Sequence, residues 1–189
     1  MDTIKKSKSL KSIDTQFLFN SVKEKYHIFN KSIKITDESN ILQAIFIKNF
    51  ISNDQYTLLK NFILHDKPIP NHEKKHQIHI DKSHQLYTLL ETIFLLNSTI
   101  NNKIYNFNML HIFNNYVVDS HRDSTEYTMK NLFILKHDDI EGLTVFPEYE
   151  MAFQLENTDL LLFNTNMLHY ACTNKMISNK HYRYALYFE

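Results

Sequence analysis

Residues 117–127 read VVDSHRDSTEY. The His-Arg-Asp at their centre admits two readings with unrelated folds. HRD opens the catalytic loop of protein kinases, where an Asn five residues after the Asp holds a second magnesium ion. Taken instead as extended chain, His121 and Asp123 sit two positions apart. Their side chains then leave the same face and can converge on one metal ion, while Arg122 points the other way.

The kinase reading fails on the sequence itself. The position five after Asp123 is Thr128, not Asn. A kinase also needs a glycine-rich loop over the phosphates and a DFG ligand, yet the chain has a single glycine, Gly142. The same scarcity removes a P-loop and a dinucleotide-binding fingerprint.

The composition suits one folded domain. The chain has 189 residues, 43% of them hydrophobic, with 14 Phe and 11 Tyr, enough for a substantial core and unlike a disordered chain. Lys plus Arg equals Asp plus Glu at 21 each, which argues against a surface that coats nucleic acid in general. The charge is unevenly spread. Residues 1–34 hold eight lysines against Asp2, Asp14 and Glu24, whereas residues 137–159 hold seven acids and no Lys or Arg. Residues 1–40 are therefore expected to form a basic, partly ordered arm, and 41–189 a single domain. No apolar h-region follows the N-terminal lysines, and no run approaches about 18 apolar residues. An intracellular protein with no signal peptide, no transmembrane segment and no membrane partner is expected. The lone Cys172 cannot form an internal disulfide and suits a reducing compartment. Its Thr-Asn-Lys context lacks a cysteine-hydrolase signature, so a small buried residue is expected there.

Along the chain, ILQAIFIKNF (41–50) reads as a strand running into a turn. SNDQYTLLKNFIL (52–64) has Ser52 or Asn53 as N-cap and Tyr56, Leu59, Phe62 and Ile63 at helical spacing. SHQLYTLLETIFLLN (83–97) reads as a second amphipathic helix. Between them KPIPNHEKK is a loop, by its prolines and polarity. After residue 103 short runs rich in Leu, Phe, Tyr and Val are broken by Asp, Asn, Pro or Gly, as in an antiparallel sandwich or barrel. The fold class expected is α+β, with two helices outside a C-terminal sheet structure.

Two ligands do not make a metal site. A triad of two His and one carboxylate, the arrangement of non-haem Fe(II) oxygenases, needs a second His from a distant strand. His169, in DLLLFNTNMLHYACTN, lies 48 residues beyond His121 at the end of an apolar strand. Fourteen residues further on comes Arg183, in HYRYALYFE, an alternating strand expected to hydrogen-bond beside the strand of His169. A buried arginine needs an anion, and its fork suits a carboxylate. A dicarboxylate could chelate the metal at one end and meet Arg183 at the other.

The order HxD…His…Arg, embedded in strands, resembles the Fe(II)/2-oxoglutarate-dependent oxygenases of the double-stranded β-helix (jelly-roll) fold. The resemblance covers about residues 105–189, with the helices at 52–65 and 83–97 in the place of supporting N-terminal helices. Within that superfamily, EGLTVFPEYEMAFQLENTDLLLFNTNMLHYACTN (141–174) is similar to the block of the ten-eleven-translocation/J-base-binding-protein group. The resemblance implies that His121, Asp123 and His169 bind Fe(II) and form the catalytic centre. It implies that Arg183 binds the distal carboxylate of the co-substrate 2-oxoglutarate, and that Gly142 occupies a turn strained for other residues. Asn114 and Tyr116 are candidates on the strand before His121; Asn114 either contacts the 2-oxoglutarate carboxylate or is a polar strand-end residue. Two departures stand out. Asn157-Thr158-Asp159 replaces the usual Gly-Asp, and Ala185 replaces a Ser common two residues after the arginine. The hydroxyl so lost could come from Tyr105, Tyr116 or Tyr187.

The implied reaction couples oxidative decarboxylation of 2-oxoglutarate at Fe(II) to hydroxylation of a C–H bond. The substrate the resemblance implies is the 5-methyl group of a pyrimidine in nucleic acid, which calls for base flipping, a basic groove and stacking aromatics. The lysines of residues 1–34 and Lys74-Lys75 could line such a groove; zero net charge and the acidic 137–159 segment oppose it. A protein side chain or small metabolite is the alternative substrate, and a non-catalytic metal-binding or interaction module with the same fold the alternative class. His72, His76 and His79 have spacings that admit a zinc site, but no cysteine is near and a surface loop, as a substrate lid, is expected. His111, His137 and His181 read as ordinary strand or turn residues.

Overall fold

The computed structural model describes residues 14–65, 76–79, 82–83, 85–96, 109–112, 117–122, 129–137, 139–175 and 183–188. Three helices stand among them: α1 Thr15–Lys25, α2 Asn53–His65 and α3 Gln85–Leu96. The strands are β1 His27–Phe29, β2 Ile33–Thr36, β3 Leu42–Ile47, β4 His76–His79, β5 Met109–Ile112 and β6 Val117–His121. They continue as β7 Met129–Lys136, β8 Gly142–Phe146, β9 Met151–Gln154, β10 Leu160–Asn164, β11 His169–Thr173 and β12 Arg183–Phe188. The class is α+β. None of the described helices is long and apolar enough to cross a membrane.

The strands form two sheets. One has the order β1-β9-β8-β11-β6, the other β2-β3-β10-β7-β12-β5-β4. From β5 onward the chain alternates between sheets, except that β8 and β9 are neighbours in one. Apart from the parallel β1–β9 pair, every pairing is antiparallel. This alternation brings residues far apart in sequence onto facing surfaces.

Period-2 patterning decides what each face buries. Phe146, Met151 and Phe153 of the five-stranded sheet and its flank join Ala44, Phe46, Leu161 and Phe163 of the other sheet in one cluster between the sheets. The intervening residues Leu143, Val145, Ala152 and Cys172 turn outward and pack beneath Phe19 and Val22 of α1. Strands β8, β9 and most of β10 are buried on both faces, so their runs read as continuous apolar stretches rather than alternating ones.

The loop before α2 forms a capping box. The Gln55 N–H donates to Ser52 Oγ at 3.2 Å, and the Ser52 N–H donates to Gln55 Oε1 at 2.9 Å. Of residues 1–40, those from 14 to 36 supply α1, β1 and β2, which edge both sheets; residues 1–13 lie outside the described chain.

Four local expectations are corrected. Gly142 is not in a left-handed turn: it opens β8 opposite Thr173, buried, and no glycine has a positive φ among the described residues. The positive φ values fall on Asn40, Asn49 and Glu150, and asparagine tolerates that region. His169 opens β11 instead of ending the apolar strand. The polar residues 164–166 lead a turn that Met167 completes, with the Asn166 N–H donating to Asn164 Oδ1 at 3.0 Å. The strand of Arg183 does not lie beside that of His169. β12 pairs with β7 and β5 in the seven-stranded sheet, because the nine residues between β11 and β12 exceed a hairpin turn and let the chain change sheets. Finally, residues 76–79 are not loop but the edge strand β4, laddered to β5.

Candidate metal centre

Strands β6 and β11 are antiparallel neighbours with His121 and His169 as direct partners, and the register shifts just beyond, between His169 and Ala171. Such a shift re-aims side chains at the end of a ladder. The two imidazole rings lie with centroids 4.6 Å apart and planes inclined at 49°. Two histidines 48 residues apart in sequence thus share one spot because two strands of one sheet pair there.

His169 is buried. Its ring lies 4.8 Å from that of Phe163 and 6.0 Å from that of Phe146, one from each sheet. Its Nδ1 sits 2.9 Å from the Met167 carbonyl oxygen. A carbonyl can only accept, so Nδ1 carries a proton, and in the neutral ring Nε2, also buried, carries the lone pair. That is the state in which imidazole ligates a metal, with the second nitrogen tied to the backbone to set ring orientation. On this point His169 fits a ligand of the expected iron.

Asp123 lies outside the described residues, as do Tyr105, Asn114, Tyr116, His72 and His181. Among the described residues, no three His, Cys, Asp or Glu side chains gather at metal-binding distance. Arg183 heads β12 in the other sheet, its backbone in register with Lys136 of β7. The Lys136 side chain is buried, with Nζ 3.1 Å from the half-exposed Glu156 carboxylate. Tyr187 is in register with Leu132 of β7 and Met109 of β5.

Arg122, expected from the sequence to point away from the metal, has a structural task. Its guanidinium donates to the Asn166 carbonyl oxygen and pairs with Glu148. It thereby fastens the end of β6 to the turn before β11 and to the 3-10 turn Pro147–Tyr149 after β8. These turns flank the two histidines. No spacing signal in the sequence marks this contact.

Most acids of the 137–159 segment pair with basic residues elsewhere in the chain. Glu141 pairs with Lys23, Asp159 with Lys48, Glu148 with Arg122, Glu156 with Lys136, and Asp139 with both His137 and Lys175. Tyr170, on the opposite face of β11 from His169, has its phenol pushed far above the ordinary range, chiefly by burial and further by Tyr26. It stays neutral and packs under α1.

No protein-family model matches the sequence, and no curated protein matches it. Solved structures do. NgTET1 in complex with 5mC DNA superposes with a TM-score of 0.58 at 11% identity, over 85% of this chain and 76% of that one. The viral collagen prolyl hydroxylase of Paramecium bursaria Chlorella virus-1, as its 2OG (2-oxoglutarate) complex, gives 0.52 at 15% identity, over 77% and 94%. A truncated form of the same hydroxylase gives 0.50 at 13%, over 85% and 95%. The chain has the fold of these proteins.

Proposed function

We propose that this chain is an Fe(II)/2-oxoglutarate-dependent oxygenase, with His121, Asp123 and His169 as metal ligands and Arg183 as anchor for the distal carboxylate of 2-oxoglutarate. The observation that carries the reading is the cross-strand pairing of His121 with a buried His169 whose Nδ1 is tied to a backbone carbonyl. In this reading β5–β12 constitute a double-stranded β-helix within one domain, placed by the sequence at residues 41–189, with β1 and β2 added at the edges of its two sheets. The strand orders β5-β12-β7-β10 and β6-β11-β8-β9 support it, since each sheet takes alternate turns of the chain. The likeness in fold to a 2OG-binding hydroxylase supports the choice of co-substrate.

When bound, iron and 2-oxoglutarate would let dioxygen act as the oxidant: one oxygen atom would go to succinate as the co-substrate loses CO₂, and the other to the hydroxylated substrate C–H. The chain's own residues hold and exclude. Met167 sets the ring of His169, Phe146 and Phe163 keep water from it, and Arg122 braces the adjoining turns. Asn114, Tyr116 and Tyr105 stay candidates for contact with 2-oxoglutarate.

The substrate favoured is the 5-methyl group of a pyrimidine base in nucleic acid, in an intracellular setting. The likeness to a structure holding 5mC DNA supports it. The pairing of the acidic segment with Lys23, Lys48, Arg122 and Lys136 weakens the charge objection. A protein side chain is the second reading, favoured by the likeness to a collagen prolyl hydroxylase along nearly its whole length.

Anaerobic protein with Fe(II) is expected to develop a weak metal-to-ligand charge-transfer band on addition of 2-oxoglutarate. His121→Ala or Asp123→Ala abolishes the band, and Arg183→Ala weakens 2-oxoglutarate binding. A wild-type protein with no band refutes the oxygenase reading. Iron binding without turnover on methylated oligonucleotides or peptides, followed by product mass, points to a non-catalytic module instead.

A further inference from the structure

Thr144 stands in the middle of β8 and is 2% exposed. Its neighbours fix its direction. Leu143 and Val145 turn outward beneath α1, while Phe146 faces the space between the sheets. Thr144 shares the inward face with Phe146. In the ladder it is opposite Ala171 of β11 on one side and Phe153 of β9 on the other. Ala171 is the next inward-facing residue after His169, so Thr144 lies one such step, about 7 Å, deeper between the sheets than the candidate metal centre.

Among the described residues, Thr144 Oγ1 has no hydrogen-bond partner, although the atom is fully buried. A hydroxyl in that state is destabilising, and valine would fill the same volume without that cost. An unsatisfied buried group in a native fold therefore calls for a partner from outside the chain.

We propose that Thr144 is a co-substrate-binding residue, its hydroxyl donating a hydrogen bond to the carboxylate of 2-oxoglutarate that points inward from the metal. The proposal rests on the oxygenase reading and deepens it. Relatives commonly carry a serine two residues after the arginine, and this chain has Ala185 there. Thr144 supplies the missing donor from the opposite sheet. None of the three tyrosines considered from sequence is then required for that contact.

The test compares wild type, Thr144→Val and Thr144→Ser, each loaded anaerobically with Fe(II) and titrated with 2-oxoglutarate by the charge-transfer band and by calorimetry. Melting without ligand is measured in parallel. Thr144→Val is expected to weaken 2-oxoglutarate binding about tenfold or more, because a hydrogen bond to a charged group is lost. Its ligand-free melting temperature stays equal to or above wild type, because an orphaned hydroxyl has been removed. Thr144→Ser retains binding. Wild-type affinity in Thr144→Val overturns the assignment while leaving the oxygenase reading intact, as does a loss of affinity that Thr144→Ser shares. A wild-type protein that binds no 2-oxoglutarate overturns both.

Discussion

Asp159 offers the sharpest test of how this fold is held. Its carboxylate is fully buried and accepts from three donors: Lys48 Nζ at 2.7 Å, the Asn49 N–H at 3.0 Å and the Glu156 N–H at 2.7 Å. It thus joins the turn after β3 to the turn between β9 and β10. The Ile51 N–H donating to the Thr158 carbonyl, at 3.2 Å, closes the same junction. One oxygen faces Asn49 and the other faces both Lys48 and Glu156, so every direction is met by a donor. In Asp159→Asn the amide NH₂ must face a donor whichever way it is placed, and the backbone N–H on that side, of Asn49 or of Glu156, loses its acceptor. Breaking a buried pair from one partner costs about 3–5 kcal/mol. Lys48 is partly exposed and can turn to water, which places the expected loss near the lower end, about 3 kcal/mol. For a chain of this size that lowers the melting temperature by roughly 6–12 °C. Urea unfolding and calorimetry of wild type, Asp159→Asn, Lys48→Met and the double variant would measure the loss and the coupling. A loss for Asp159→Asn below about 1 kcal/mol, in the range of an exposed ion pair, would refute the reasoning.

Two further predictions follow from local chemistry. Ser52→Ala removes the N-cap acceptor for the Gln55 N–H and is expected to cost about 1 kcal/mol in chemical denaturation, with Ser52→Asp retaining most of it. Tyr170 has a folded-state phenol pKa raised above its unfolded value by burial, so the folded chain keeps that proton where the unfolded chain loses it. Its contribution is complete below the ordinary phenol range and is lost as pH climbs above it. Wild type should therefore lose stability through that alkaline window more steeply than Tyr170→Phe, as read by melting temperature against pH.

The helices at 53–65 and 85–96 and the strand at 42–47 were legible because their patterns are local: apolar spacing of one period, a capping Ser, a polar break. Cys172, with no reactive context, is a buried side chain under α1. Sheet membership was not legible. The strand carrying Arg183 reads as an alternating strand, and nothing in its six residues states that it pairs with β7 and not β11. The same holds for Arg122, whose partners Glu148 and Asn166 are 26 and 44 residues away. Contacts of that kind depend on loop paths and register, which carry no short-range signature.

The sequence by itself determined the residue types of the candidate centre and their order. One glycine excluded the phosphate-binding loops, and HxD, His and Arg in strand contexts pointed to a metal and a dicarboxylate. Only the tertiary structure decided that His121 and His169 meet ring to ring, that a backbone carbonyl sets the tautomer of His169, and that Thr144 is buried without a partner one step deeper. The physical reason is that side-chain identity and periodicity are properties of a short segment. Proximity, burial and hydrogen-bond satisfaction are set by the pairing register between strands that the chain reaches only after crossing from sheet to sheet.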